Sequence, residues 1–344
     1  MSEAPRPVLT EEDIRFVAHE YRLRGPIEHR EFAKGSPAVA KARLRTPGGD
    51  WMLKRRATDD AGPLARVHAF QCHLEARCCP VAPLRTNRAG LTVTRGASGT
   101  FEIFGWVSGE RPRLTLDEAA EVGATVGAML RAAATFVPPP GARPAAAPRA
   151  DPPAFDPLRL ASAACRADPS QDGAAVREAA ASVVARALEA HSRASRAGAF
   201  RSAVAFVHGD MHAGNVLFSE GRLAAVLDFD ACRLDFRVRE IASAMFHFAN
   251  VGAPLDPPPG SGAELRVENA LAVAMGAANG VGAPLEPHEA AALPWLMIGA
   301  CTSEALSVIA RTGRFGAVPA LEMLRFVDRK ASWIESNASR LLPP

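Results

Sequence analysis

One stretch of this chain holds most of the residues whose types and spacing could do chemistry. In AFVHGDMHAGNVLFSEGRLAAVLDFDA, residues 205–231, His208, Asp210 and His212 alternate. Asn215 follows four residues after Asp210's neighbour Met211, and Asp228-Phe229-Asp230 closes the segment. Apolar Val204 to Val207 and Val216 to Phe218 read as strands, and Ser219 to Arg222 as a turn leading into a strand at Leu223 to Leu227. A hairpin of that length is expected to bring Asp210, Asn215 and Asp228 to its open end. An aspartate can take a proton from an attacking hydroxyl, while an asparagine and a second aspartate supply the hard oxygen ligands that magnesium prefers. Phosphoryl transfer needs that set, because its loose transition state is served by alignment and charge neutralisation. A rival reading takes His208, Asp210 and His212 as ligands of a metal-dependent hydrolase. Asn215 and the DFD at the hairpin's end weigh against it.

The elements that must position these groups fall into two parts. The first 107 residues read as a small antiparallel sheet with few helices. A helix is expected over 11–22, strands at 29–32, 39–44 and 51–56, a helix over 63–77, and strands near 91–95 and 101–107. Thr46-Pro47-Gly48-Gly49-Asp50 is a hairpin signal. From 108 to 344 the chain reads as mainly helical, with helices near 116–136, 171–198, 238–250, 262–280, 288–312 and 318–340. Residues 137–157 are proline-rich and read as a loop.

Composition excludes several classes. Of 344 residues, 48% are hydrophobic and 22% charged, the balance of a globular protein rather than a disordered one. The net charge of +3, with no dense basic run, gives no nucleic-acid footprint. The purely apolar run Leu293 to Ala300 is far short of the roughly 20 residues of a membrane span, and the N-terminus has no secretory pattern, so a cytoplasmic protein without membrane partners is expected. The six cysteines are expected as free thiols. Cys72, Cys78 and Cys79 near His68 and His73 lack the spacing of a structural metal site. Among 40 lysines and arginines only Lys34, Lys41, Lys54 and Lys330 are lysines, which singles each of them out.

HGDMHAGNVLF followed by AVLDFD resembles the aminoglycoside phosphotransferase, choline kinase and homoserine kinase-like superfamily. The layout likeness spans nearly the whole chain, and the specific motifs occupy about 205–246. The resemblance implies an α+β, protein-kinase-like bilobal fold, with an antiparallel-sheet N-terminal lobe, a hinge at 101–107 and a mainly helical C-terminal lobe. It implies ATP and Mg2+ as cofactors and a small-molecule hydroxyl as acceptor: an amino alcohol, hydroxy amino acid, sugar or aminoglycoside. Carried over by position, Asp210 is the base, His208 braces its loop, and Asn215 and Asp228 hold magnesium. Lys54 holds the nucleotide's phosphates, the turn at Ser36 covers them, and the backbone of Glu102 to Phe104 meets adenine. Glu75 stands as the helix partner of Lys54, and Glu240 replaces the family's aspartate as a brace on the catalytic loop. Gly209, where protein kinases carry Arg, and the short segment after Asp228 argue against a protein kinase with a phosphorylated activation loop. A pseudokinase or interaction module would be expected to lack the base, metal ligands or lysine, and all are present here. Charges from 240 onward are nearly balanced, which leaves the acceptor's own charge open.

Overall fold

In β2 (Val39–Thr46) apolar residues alternate with basic ones, and the strand buries Ala40, Ala42 and Leu44 on one face while Lys41 and Arg43 lie half-buried on the other. The computed structural model describes residues 8–32, 39–56, 61–139, 154–250 and 262–344. Two compact units emerge. The first comprises Met1–Glu110, Thr135–Ala145 and Ala224–Asp230; the second comprises the rest.

The first unit is a five-stranded sheet. It begins with α1 (Glu11–Glu20), opened by a capping box between Thr10 and Asp13. Then come β1 (Glu28–Glu31), β2, β3 (Gly49–Arg56), α2 (Ala61–Ala76), β4 (Val93–Gly96) and β5 (Gly99–Gly105). The sheet order is β1-β2-β3-β5-β4, every pair antiparallel. Ala40, Ala42, Leu44, Leu53, Phe101 and Ile103 turn to one face, where Ile14, Val17 and Tyr21 of α1 close the core. Register then fixes what lies opposite. Lys41 pairs with Lys54 and Lys54 with Glu102, so three charged residues form a row across β2, β3 and β5.

The second unit is helical, as expected: α3 (Leu116–Ala133), α4 (Pro157–Ala167), α5 (Gly173–Ala197), α6 (Arg237–Phe248), α7 (Val267–Val281), α8 (Pro287–Thr312) and α9 (Ala320–Ser336). Short strands interrupt it: β6 (Val204–Val207), β7 (Val216–Ser219), β8 (Arg222–Val226), β9 (Arg233–Phe236) and the two-residue pair β10 (Arg314–Phe315) and β11 (Val318–Pro319). Pairing is β7 with β8 and β6 with β9. Within β8 the chain passes from the second unit to the first. The end of β8 is tied there by Val226 N–H donating to Pro80 O at 2.8 Å.

Two elements differ from the sequence reading. The expected proline-rich loop ends in a helix, α4: Asp156 accepts from Leu158 N–H, and Pro157 sits in the first turn, where a missing N–H costs nothing. The strand β9 went unread because four residues abutting α6 give no periodicity of their own. The strand expected near 101–107 is β5, which ends at Gly105. Among the described residues one helix, α8, is long and apolar enough to cross a membrane, and more than half of its most apolar stretch is buried inside the protein.

Candidate active site

In the first unit the row of charges is closed by the DFD segment. Lys54 Nζ donates to Asp228 Oδ1 at 2.9 Å, and Lys41 Nζ to Asp228 Oδ2 at 3.2 Å. Two lysines directly opposite each other on neighbouring strands would repel, and the carboxylate between them removes that penalty. Lys54 is buried. Burial alone would lower its pKa, but Asp228, Asp230 and Glu102 outweigh it and hold the ammonium above the ordinary lysine value. Asp228 responds in the opposite sense: burial would raise it, yet Lys54 and Lys41 hold it far below the usual carboxylate range. Its backbone sits at φ 63°, a left-handed conformation that a non-glycine residue adopts at some cost and that marks a constrained position.

Glu102 and its helix neighbour account for the rest of the row. The Glu102 carboxylate accepts from Arg56 Nε at 2.6 Å and shares a 2.8 Å bond with His68 Nε2 of α2. Burial would raise its pKa; the His68 bond and the charges of Arg56 and Lys54 pull it down to about 2. Arg56 also reaches Asp230 at 2.6 Å. This corrects the expected helix partner of Lys54. Glu75 lies exposed in α2 and is not among the charges that act on Lys54. The helix instead sends His68 to a strand glutamate. The main chains of Glu102 and Phe104 lie inside the ladder: Glu102 is paired with Lys54 and Val93, and Phe104 with Met52 and Leu84. Ser36 lies outside the described residues.

In the second unit the loop after β6 brings His208, Asp210 and Asn215 together. Gly209 turns the loop at φ 77°, where an added Cβ would stand 2.2 Å from Arg233 Nη1. The His208 ring, buried, accepts the Asp210 N–H on Nδ1 at 3.2 Å. Asn215 Nδ2 donates to the Asp210 main-chain oxygen and to Asp210 Oδ2, both at 2.9 Å. Burial would raise the Asp210 pKa, but the His212 bond and the electrostatic pull of His212 and His208 hold it below the usual carboxylate value. Ionised and half-exposed, this carboxylate can accept a proton. Glu240, from the first turn of α6, accepts the Gly209 N–H on Oε2 at 3.0 Å and so braces the loop. Burial pushes its pKa up to about 7.

The histidines of this loop are not arranged as a metal centre. His208 and His212 each use Nδ1 to accept a backbone N–H, and among the described residues no three His, Cys, Asp or Glu side chains could hold an ion together. In the second unit both hydrogen bonds of the Asn215 side chain leave through Nδ2, so its amide oxygen is free to bind a hard cation; in the first unit the Asp228 carboxylate, held far below the usual range, is a group of the kind such a cation prefers.

Two residues that sequence reasoning passed over sit beside Asp210. His247 Nε2 lies 3.7 Å from Glu304 Oε2, and the His212 and His247 rings are 5.8 Å apart. Burial lowers the His247 pKa to about 3, so that ring is neutral. Burial pushes Glu304 up to about 7; His212 pulls against it, and the like charge of Asp210 adds a lesser push. Among the described residues neither Asp210 nor Glu304 has a lysine or arginine within ion-pair distance.

Comparison with known proteins gives three findings. A profile of the phosphotransferase enzyme family matches residues 30–270. Among curated proteins none matches. Among solved structures, an amicoumacin kinase in complex with AMP-PNP, Ca2+ and Ami superposes with a TM-score of 0.67 at 14% identity, over 95% of this chain and 93% of that one. A microcompartment-associated aminopropanol kinase gives 0.67 at 14% identity, over 96% and 98%. A spectinomycin phosphotransferase in complex with ADP and spectinomycin gives 0.63 at 13% identity, over 96% and 99%. At such identities the likeness speaks for the fold, which is protein-kinase-like.

Proposed function

The chain belongs to the phosphotransferase enzyme family, and from that premise we propose that it transfers the γ-phosphoryl of ATP to a hydroxyl of a small, cationic molecule. The observation that carries the reading is the pairing of buried Lys54 with Asp228 in the first unit; in the second, an ionised Asp210 tied to Asn215 supports it. Lys54, seconded by Lys41, holds the nucleotide's phosphates. As the family resemblance implies, Asp228 and the Asn215 amide oxygen would be the ligands for Mg2+, which would neutralise charge on the phosphates. Asp210 receives the acceptor's hydroxyl proton as the new O–P bond forms and the bond to the leaving ADP breaks.

The acceptor's charge follows from what the site lacks. A carboxylate withdrawn from water beside a like charge is costly unless a cation meets it. Among the described residues no lysine or arginine lies within ion-pair distance of Asp210 or Glu304, so an ammonium group on the acceptor would supply the missing charge. An amino alcohol or aminated sugar fits this requirement better than a neutral sugar.

The test is incubation with magnesium ATP and a panel of amino alcohols, hydroxy amino acids, neutral sugars and aminoglycosides, read by mass spectrometry. One added phosphoryl group on an ammonium-bearing alcohol is expected. Phosphorylation of neutral sugars alone would overturn the acceptor assignment. Absence of any product, together with no heat of magnesium ATP binding, would overturn the whole reading.

A further inference from the structure

His212 is the second imidazole of the Asp210 loop, and its ring is fixed at both nitrogens. Gly214 N–H donates to Nδ1 at 2.9 Å, so in the neutral ring Nδ1 carries the lone pair and the proton sits on Nε2. That Nε2 lies 3.5 Å from Asp210 Oδ2, the same oxygen that accepts from Asn215 Nδ2. Both donors meet one carboxylate oxygen, and Oδ1 is left for an incoming hydroxyl. The loop is also shaped around the ring. A Cβ at Gly214 would stand 2.5 Å from His212 Cε1 and 2.8 Å from Nδ1, so position 214 has no room for a side chain while the imidazole is in place.

A carboxylate free to rotate presents either oxygen, or neither, to its partner, and misplacement by an ångström can cost about 10² in rate. We propose that His212 is a positioning residue for phosphoryl transfer: with the Asn215 amide it locks the Asp210 carboxylate so that Oδ1 takes the acceptor's proton. The inference rests on the reading of Asp210 as the base.

Three variants separate this role from a purely structural one. His212→Asn keeps an oxygen that can accept the Gly214 N–H, as asparagine does at helix starts, but is too short to reach Asp210. His212→Gln extends an amide far enough to donate to it. His212→Ala loses both contacts. Turnover is expected to fall about 10- to 100-fold in the Asn and Ala variants with KM for ATP and acceptor nearly unchanged. The Gln variant should recover part of the loss, and only the Ala variant should melt earlier. Wild-type kcat in His212→Asn would reduce the ring to a loop cap and overturn the proposal. A second readout needs no acceptor: nitrogen-15 NMR of the His212 ring should place the proton on Nε2. A proton on Nδ1 would overturn the inference by itself, whereas an Nε2 proton in a protein that phosphorylates nothing would count against the kinase reading instead.

Discussion

Replacing Glu240 by Gln gives a stability change whose pH dependence is fixed in advance. Glu240 is buried, its Oε2 accepts from Gly209 N–H, and its Oε1 is a buried oxygen without a partner. Burial moves its pKa from 4.5 to about 7, with Asp235 and Asp210 adding to the shift and Arg233 opposing it. At about 1.4 kcal/mol per tenfold change, that shift is worth about 3 kcal/mol. The sign follows from proton counting. Between pH 4.5 and about 7 the folded protein holds this proton and the unfolded chain has lost it, so stability falls as pH rises and levels off above about 7. Gln cannot ionise, so its stability has no such component. Its buried amide brings a fixed cost of about 1 to 3 kcal/mol, independent of pH. The variant's stability relative to the wild type should therefore improve by about 3 kcal/mol from pH 4.5 to pH 7 and stay level beyond. Urea unfolding of both proteins from pH 4.5 to 8.5, at unchanged m-value, measures it. A difference that does not move with pH would refute the reasoning, and a wild type that gains on the variant as pH rises would mean Glu240 is ionised and paired.

Three further outcomes are expected. Lys54→Met keeps the aliphatic stem and loses the head group, so turnover should fall by about 10² or more with the fold intact, and Lys41→Met should fall less; steady-state kinetics that leave Lys54→Met unchanged would identify the wrong lysine. Gly209→Ala forces a side chain onto φ 77° and within 2.5 Å of the Ala231 oxygen, so a loss of about 2 kcal/mol or more and of turnover is expected; an unchanged melting temperature would show that the loop relaxes freely. Glu304→Gln should weaken binding of an ammonium-bearing acceptor about tenfold and leave a neutral one alone. In the wild type that binding should strengthen as pH rises through about 7, where Glu304 ionises, and calorimetric titration of the variant should show the rise abolished.

How much of this was legible in the sequence depends on how far along the chain each partner lies. Asp210, Asn215 and Asp228 are set by short spacings, and the strands and turns around them announce themselves by period and by glycine. The scarcity of lysine singled out Lys41 as well as Lys54, but only the register of β2 against β3 places both on Asp228. The same scarcity marked Lys330, which is buried in the second unit, donating to Asn250 Oδ1 at 2.5 Å beside the Phe326 ring. Rarity therefore does not separate a ligand-binding lysine from a buried one. Glu102 and His68 are 34 positions apart, and nothing local in either segment names the other. Their pairing comes from how α2 packs on the sheet, which also leaves Glu75 outside. His247 and Glu304 belong to two helices, and the near balance of charge from 240 onward gives no sign of a carboxylate set against a histidine. Helix α4 was hidden because proline, which excludes helix interiors, is welcome in a first turn.

The division of labour between the two aspartates is the centre of the account, and calorimetric titration of ATP with and without magnesium tests it most directly. Asp210→Asn keeps shape and hydrogen bonding but removes the proton acceptor. Its turnover should drop by about 10² to 10⁴ with magnesium-dependent ATP binding intact. Asp228→Asn removes a charge from the magnesium ligands and from the two lysines, so that variant should lose the magnesium dependence of binding along with turnover. Loss of magnesium dependence in Asp210→Asn with its retention in Asp228→Asn would reverse the roles. Tight binding of a transition metal by both variants without ATP would return the HGDMH segment to the hydrolase reading and contradict the account.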